Sequence, residues 1–176
     1  VMDEAEGLPS SSAYRCRFGS LLRAYTLIGF RPDRDYQYVE VNRALRRLHP
    51  CVVRQVLDGF SDSGSNVSQD EKSDRLLVNG EFWASVVIVR CSSTPTGLLR
   101  WPIKFDASLA PDLTIAVRMD AGNNVPLDFF IFPRLDLASQ RLRIAEENGL
   151  GLDAYRFDSL DYLFEMAAPT QFASAA

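Results

Sequence analysis

Hydrophobic residues are concentrated in the middle of the chain, where four runs predict successive β-strands. The runs are Phe82–Cys91, Leu98–Asp106, Leu113–Met119 and Leu127–Phe132. The first run is apolar on both faces, which is typical of a central strand that is covered on both sides. Asn79 and Gly80 precede it, and both residues tolerate positive φ, so they predict a hairpin turn after a short strand at Asp74–Val78.

Two of these runs alternate in character, which predicts one buried and one solvent-facing side for each strand. In Leu98–Asp106 the alternation separates inward Trp101, Ile103 and Phe105 from outward Arg100, Pro102 and Lys104. In Leu113–Met119 it separates inward Leu113, Ile115, Val117 and Met119 from outward Thr114, Ala116 and Arg118. Because proline has no N–H to donate, Pro102 favours an edge strand or a bulge.

Helical spacing of apolar residues predicts helices on both sides of the strands. Tyr36–Leu48 is predicted as one helix, with a break at His49–Pro50 and a second helix from Pro50 to Gly59. Two further helices are predicted at Leu137–Asn148, which ends at Gly149, and at Asp153–Met166. The segment Tyr14–Gly29 fits either a short helix or a strand, and Ser61–Ser73 is predicted as a polar connection.

This order of elements predicts an α+β fold. We expect a mixed or antiparallel central sheet of about five strands, joined by hairpins and flanked by N-terminal and C-terminal helices. The length of 176 residues fits one domain, which we place at 14–168. Small and polar residues at 1–13 predict a flexible tail, and 169–176 are predicted to be frayed.

Composition limits the chemistry that this chain can perform. The net charge of −4 argues against a surface that is basic throughout, so nucleic-acid binding needs a local basic patch. Three separated cysteines and one histidine give no zinc spacing, and each cysteine is predicted to be a lone buried thiol in a reducing cytoplasm. Any metal would be a hard cation held by carboxylates. No apolar run reaches the roughly 20 residues of a membrane span, and no secretory signal is visible.

The region from Pro50 to Pro133 resembles the PD-(D/E)XK endonuclease-like superfamily. The pieces that match are a helix, a glycine-containing turn, Asp74 at the start of a strand, and a long hydrophobic strand. A basic strand and the closing aromatic strand follow, with the sequences Arg100-Trp101-Pro102-Ile103-Lys104 and Leu127-Asp128-Phe129-Phe130-Ile131-Phe132-Pro133. A fainter similarity is to bacterial mobile-element proteins labelled recombinases. The resemblance implies a restriction-endonuclease-like fold.

That resemblance also implies a metal site. In the family, one acidic residue and an E-x-K triplet on the next strand hold Mg²⁺, which activates water. Asp74 is the candidate for the first carboxylate, but Ser85-Val86-Val87-Ile88-Val89-Arg90 stands where the triplet belongs and contains no carboxylate. A migrated site would use Glu40, Asp74 and Glu81 as metal ligands. Its catalytic residues would be Asp74, Glu81 and Lys104. We therefore expect a degenerate site with either Mg²⁺ or no cofactor.

Cations on neighbouring predicted strands form a candidate surface for phosphate groups. Arg100, Lys104 and Arg118 share one alternation, and the candidate residues that extend this strip are Arg43, Arg46, Arg47 and Arg90. A plain solvent-facing side of a sheet explains the same pattern. Four other residues have structural interpretations: Asp128 as a buried acid paired with an arginine, His49 as a helix-boundary residue, and Trp83 and Trp101 as part of the core.

These observations predict a nucleic-acid-binding protein of endonuclease-like fold that acts in DNA recombination or mobile-element processing. Mg²⁺-dependent cleavage remains one form of this hypothesis, and binding by a catalytically degenerate scaffold is the other. The alternative is a protein-interaction or regulatory module with no nucleic-acid role, which the acidic net charge favours. We expect DNA or a protein as the partner, no membrane association, and a cytoplasmic location.

Overall fold

The computed structural model describes residues 9–29, 37–106, 108–137 and 139–170. Contacts divide the chain into two compact units, Val1–Asn42 and Arg43–Ala176. Residues 1–8 of the predicted tail and residues 171–176 of the predicted frayed end lie outside the described ranges.

The first unit contains two short helices, α1 (Ser11–Phe18) and α2 (Leu21–Leu27). Gly19 ends α1 in the left-handed conformation, with φ of 80°. The side chain of Ser20 then accepts a hydrogen bond from the backbone N–H of Arg23 at 3.1 Å and caps α2. Of the two structures that Tyr14–Gly29 fits, the helical one is therefore confirmed.

A long helix, α3 (Gln37–Asp62), contains 26 residues and passes through Pro50. The predicted break at His49–Pro50 is wrong. One stripe of buried residues continues across that position, and it consists of Leu45, Val52, Val53, Val56 and Phe60. Pro50 itself lies on the exposed side of the helix. Burial of the stripe offsets the hydrogen bond that proline removes.

Nine strands follow in the described part of the second unit. Their bounds are β1 (Val67–Gln69), β2 (Leu76–Val78), β3 (Phe82–Val89), β4 (Ser92–Ser93), β5 (Leu99–Lys104), β6 (Leu113–Met119), β7 (Pro126–Pro133), β8 (Arg141–Ile144) and β9 (Arg156–Phe157). A 3₁₀ helix spans Arg134–Asp136, and two short helices are α4 (Leu150–Asp153) and α5 (Asp161–Ala167). All four predicted central strands are present, and the Asn79-Gly80 turn joins β2 to β3.

These strands form a large sheet of six strands and a small sheet of three. The large sheet has the order β1-β2-β3-β6-β7-β9, and the small sheet has the order β4-β5-β8. The large sheet is mixed, because β3 and β6 are parallel while its other neighbours are antiparallel. The predicted α+β class is therefore confirmed. The polar connection predicted at Ser61–Ser73 contains β1, which sequence analysis missed.

The predicted succession of hairpins in one sheet is wrong at β5. Strands β4 and β5 leave the large sheet and pair with each other antiparallel, with Ser92 opposite Arg100. Parallel neighbours need a crossover connection, and this pair of strands supplies it between β3 and β6. Since β4 reaches only as far as Arg100, β5 is locally an edge strand at Pro102, as the proline indicates.

The C-terminal region differs most from the prediction. Leu137–Asn148 is not a helix, because β8 forms within it and pairs with β5. Residues with high helix propensity flank the alternating Arg141-Leu142-Arg143-Ile144, and pairing with β5 overrides that propensity. The helix predicted at Asp153–Met166 is reduced to α5, preceded by α4 and β9.

Both faces of the large sheet are covered. On one face the small sheet contributes Trp101 and Ile144 to a buried cluster that includes Val89, Ala116 and Phe130. The other face is also buried, since Ile115 and Val117 are 0% exposed, and α3 approaches β3 where His49 Nε2–H donates a hydrogen bond to the Val86 carbonyl at 3.0 Å. His49 is therefore inside a helix rather than at a helix boundary. A Cβ atom at Gly59 of α3 would collide with the ring of Phe164 on α5, so only glycine permits this close approach.

The aromatic and sulfur-containing residues follow the predictions only in part. Trp101 is in the core and donates its Nε1–H to the Met119 carbonyl at 2.7 Å, whereas Trp83 is half-buried beneath the guanidinium of Arg75. Cys91 is buried as predicted, and burial raises the pKa of its thiol. Cys16 and Cys51 are exposed, so the prediction of a buried thiol is wrong for both.

Arg118 is buried rather than outward-facing. Its side chain is 2% exposed and forms a two-bond ion pair with Asp128, which is 1% exposed. A third bond runs from Arg118 Nη1 to the Ala145 carbonyl at 2.9 Å. The Trp101 ring lies under the guanidinium, with its centroid 4.7 Å from Cζ. The prediction that Asp128 is a buried acid paired with an arginine is confirmed.

Substitutions in this ion pair should have unequal effects on stability. Asp128→Leu leaves the buried guanidinium of Arg118 without a counter-charge, and we expect a loss of about 3–5 kcal/mol in the free energy of unfolding. Arg118→Met should cost less, because Asp128 keeps a bond of 2.7 Å from Arg156 Nε. Urea unfolding monitored by tryptophan fluorescence measures both. Arg156→Gln is the control, since its side chain is 37% exposed and can be solvated. Equal losses for Asp128→Leu and Arg156→Gln would contradict the expectation.

Candidate functional site

The outward side of the small sheet carries four cations. Alternate residues of β5 and β8 are buried or half-buried against the large sheet, and the intervening positions face solvent. Those intervening positions include Arg100, Lys104, Arg141 and Arg143, which we call the cationic face. Lys104, Arg141 and Arg143 are exposed, and Arg100 is half-buried.

The register of the small sheet places like charges opposite each other. Lys104 pairs with Arg141, and Pro102 pairs with Arg143. Opposed like charges destabilise an antiparallel pair, so an acidic partner would be expected nearby. Within the described ranges no acidic side chain forms a salt bridge with Lys104, Arg141 or Arg143. The positive potential of this face is therefore available to a ligand.

A cleft of about 480 Å³ adjoins the cationic face. Its lining comes from α3, β3, β6, the 3₁₀ helix, the end of β5, and the segments before β2, between β5 and β6, and before β8. Lys104 lines the cleft and also belongs to the cationic face. Gln140, the residue before Arg141, lines it as well, so the cleft and the face meet where β5 ends and β8 begins.

Two hydroxyl groups in the cleft lack protein partners. Ser85 on β3 and Thr114 on β6 are opposite each other in the parallel register and both line the cleft. Thr114 is 4% exposed. Neither hydroxyl has a hydrogen-bond partner among the residues that the structure describes. In the same residues every wholly buried side-chain polar atom has a partner, so the Thr114 oxygen is not wholly buried. The Thr114 hydroxyl must therefore open toward the cleft.

The charged side chains of the cleft differ in how they are held. Asp106 accepts hydrogen bonds from the Ser108 N–H at 2.8 Å and the Ser108 hydroxyl at 2.6 Å. The side-chain bond from Ser108 is the main cause that lowers the pKa of Asp106, so this carboxyl stays ionised. Asp74 accepts a bond from Gln69 Nε2 at 3.2 Å. Arg134 is exposed and has no side-chain bond to another described residue.

The backbone is strained at two positions of the cleft. Asp74 and Ala110 both line it and have positive φ angles of 54° and 39°. Residues with a Cβ atom rarely adopt this conformation, which costs on the order of 1 kcal/mol or more for each. Such strain is frequent at ligand-binding sites, where the surrounding structure maintains it.

The predicted catalytic residues are brought together only in part. Asp74 and Lys104 both line the cleft, whereas Glu81 is exposed in the turn between β2 and β3 and does not. Glu40 lies on the part of α3 that belongs to the first unit. Over 9–29, 37–106, 108–137 and 139–170, no group of three His, Cys, Asp or Glu side chains is arranged to hold a metal ion. The donor set therefore does not fit the Mg²⁺ site predicted at Glu40, Asp74 and Glu81.

The predicted phosphate-binding strip is corrected in its membership. Arg100 and Lys104 do share one face, but Arg118 is buried in the ion pair and does not belong to it. Arg43, Arg46 and Arg47 are exposed on α3, and Arg90 is half-buried after β3. Sequence analysis missed Arg141 and Arg143. Their alternation with Leu142 and Ile144 is the signal that would have identified them.

Removing the Ser108 hydroxyl should shift the titration of Asp106. In Ser108→Ala the pKa of Asp106 should rise toward its ordinary value of 3.8, because the largest cause of its depression is lost. Because the folded-state pKa of Asp106 is lowered, the ionised carboxyl group stabilises the fold at pH values above its ordinary pKa. This stabilisation is lost as the pH falls through the folded-state pKa. Carboxyl ¹³C NMR titration measures the shift, with Asp120 as the internal control, since its pKa is lowered chiefly by backbone N–H groups of Val125 and Asn124. An unchanged Asp106 titration would refute the assigned cause.

Comparisons with known proteins identify no relative of this chain. No protein-family model, no curated protein and no solved structure matches it. Among the described residues, no helix is both long enough and apolar enough to cross a membrane. The endonuclease-like resemblance therefore rests on sequence pattern alone, and function has to be inferred from the cationic face and the cleft.

Proposed function

We propose that this protein binds nucleic acid through the cationic face of the small sheet. The observation that carries the proposal is the pairing of Lys104 with Arg141, flanked by Arg100 and Arg143, with no salt-bridged acid at Lys104, Arg141 or Arg143 in the described ranges. A phosphate backbone would supply the missing counter-charge.

The extent of the cationic face favours a polyanion over a single small anion. Arg100 and Lys104 are four residues apart on one strand, which corresponds to roughly 13 Å. Arg141 and Arg143 run alongside on the neighbouring strand. A chain of phosphates can contact all four side chains at once, whereas one inorganic ion can contact only the closest pair. Because the net charge is −4, attraction of a polyanion depends on a local patch such as this face rather than on the whole surface.

Binding without metal-dependent cleavage is the form of the function that we propose. The carboxylates predicted to hold Mg²⁺ do not form a ligand group in the described chain, so no hydrolytic step is derived from them. A restriction-endonuclease-like fold and a role in DNA recombination or mobile-element processing belong to the same proposal. Their support is the strand pattern and the basic β5 sequence.

Salt dependence tests the proposal directly. We expect fluorescence anisotropy with a labelled oligonucleotide to give an association constant that falls roughly 50- to 150-fold between about 50 and about 200 mM salt, as four phosphate contacts predict. Each phosphate contact contributes about 0.7–0.9 to the slope of log K against log salt. In Arg141→Gln/Arg143→Gln the slope should therefore fall by about 1.4–1.8 and the affinity by about tenfold.

The matched control removes two cations elsewhere. Arg46→Gln/Arg47→Gln on α3 changes the net charge equally and alters exposed residues only. This variant should keep most of the wild-type slope. If both double variants lose the same slope, attraction is a general charge effect and the cationic face is not the site. If the wild-type protein does not bind, the proposed function is wrong and the protein-interaction alternative stands.

A further inference from the structure

The cleft beside the cationic face has the features of a second binding site. It meets that face at Lys104, yet most of its lining residues come from other elements. The Thr114 and Ser85 hydroxyls, on neighbouring strands, line it without hydrogen-bond partners in the described chain. Because no wholly buried side-chain polar atom of the described chain lacks a partner, these hydroxyls are reached by solvent and can bond to a ligand.

We propose that this cleft binds a single nucleotide that carries a terminal phosphate. Where that nucleotide is the end of a bound strand, this proposal rests on the proposed function, which is nucleic-acid binding by the cationic face. Ser85, Thr114, Lys104 and Arg134 are lining residues that can donate hydrogen bonds to a phosphomonoester. Two hydroxyls with one ammonium and one guanidinium suit a dianion with three acceptor oxygens.

Two carboxylates, Asp74 and Asp106, also line the cleft and offset part of its positive charge. Asp74 is hydrogen-bonded to Gln69, and Asp106 accepts two bonds from Ser108. Asp106 also interacts electrostatically with Lys104, which lowers the charge available there. Arg134 has no described acidic partner, so it is the strongest phosphate-binding candidate in the cleft.

Apolar residues in the lining of the cleft suit a nucleobase. They include Val87, Phe105, Leu109, Pro111 and Leu137. The volume of about 480 Å³ lies within the range of roughly 300–1,000 Å³ that is typical of small-molecule sites. An apolar wall with a few placed donors holds a ligand that is charged at one end and flat and apolar at the other, as a mononucleotide is.

A nucleotide with a terminal phosphate can reach the cleft from two sources, and the experiment distinguishes them. The first is a free mononucleotide, and the second is the phosphorylated end of a strand that lies along the cationic face. In the first arm, a deoxynucleoside 5′-monophosphate is titrated into the full chain and followed by ¹H–¹⁵N NMR, with the matching nucleoside as the phosphate-free control. In the second arm, 5′-phosphorylated and 5′-hydroxyl oligonucleotides of one sequence are compared by anisotropy.

The variants form a crossed pair. Arg134→Gln lies in the cleft and outside the cationic face, whereas Arg143→Gln lies on the cationic face and does not line the cleft. We expect Arg134→Gln to weaken mononucleotide binding about tenfold and Arg143→Gln to leave it unchanged. Thr114→Val replaces the unpartnered hydroxyl by a methyl group of the same shape and should weaken the mononucleotide severalfold. Its thermal transition, compared with that of wild type, shows whether the variant is folded.

Each outcome has a definite meaning. Tighter binding of the 5′-phosphorylated oligonucleotide, lost in Arg134→Gln and kept in Arg143→Gln, supports the strand-end source. Mononucleotide binding without that advantage supports the free nucleotide. Equal shifts with nucleoside and nucleotide, or no shifts at millimolar nucleotide, overturn the cleft proposal. That failure is separate from failure of the cationic face, because the 5′-hydroxyl oligonucleotide tests the face alone.

Discussion

The buried ion pair between Arg118 and Asp128 is the interaction on which the arrangement of the two sheets depends. Two charges removed from water are stable only when their remaining hydrogen-bonding groups are satisfied. Asp128 receives Arg156 from β9, and Arg118 donates to the Ala145 carbonyl that follows β8. The ring of Trp101 on β5 covers the guanidinium. The pair thereby ties the small sheet to one face of the large sheet and leaves little freedom for β5 and β8 to slide.

That fixed position determines which side chains reach solvent. Since side chains alternate along a strand, burying Trp101, Ile103 and Ile144 directs the intervening residues outward. On β5 and β8 those residues are mostly cations, so core packing and the positive surface follow from one register. A slip of one residue would place arginine in the core and isoleucine in water. The cleft follows from the same packing, because β5 ends at its rim with Lys104.

The sequence alone predicted the strands that have a clear local hydrophobic pattern. It failed where pairing with a distant segment determines the secondary structure. The continuous apolar run of β3 and the alternation in β5 and β6 predicted those strands within two residues. Thr114, Ala116 and Arg118 were predicted to face solvent, but they are buried. Their exposure depends on what covers that face of the sheet, and the covering strands are β5 and β8. Strand β8 was missed because four alternating residues lie between strong helix formers. Arg141 and Arg143 were missed with it, so the cationic face was incomplete. Asp74 and Lys104 were found from a resemblance, whereas no pattern joined Thr114 to Ser85 before the parallel register was known.

Strand β8 forms an outer edge of the small sheet, and such an edge can accept a strand from another molecule. Arg141 and Arg143 place two positive charges along it. A second copy that added its own β8 there would bring four guanidinium groups close together in the absence of an anion. The arginines that we propose as phosphate-binding residues would therefore also discourage self-association through this edge.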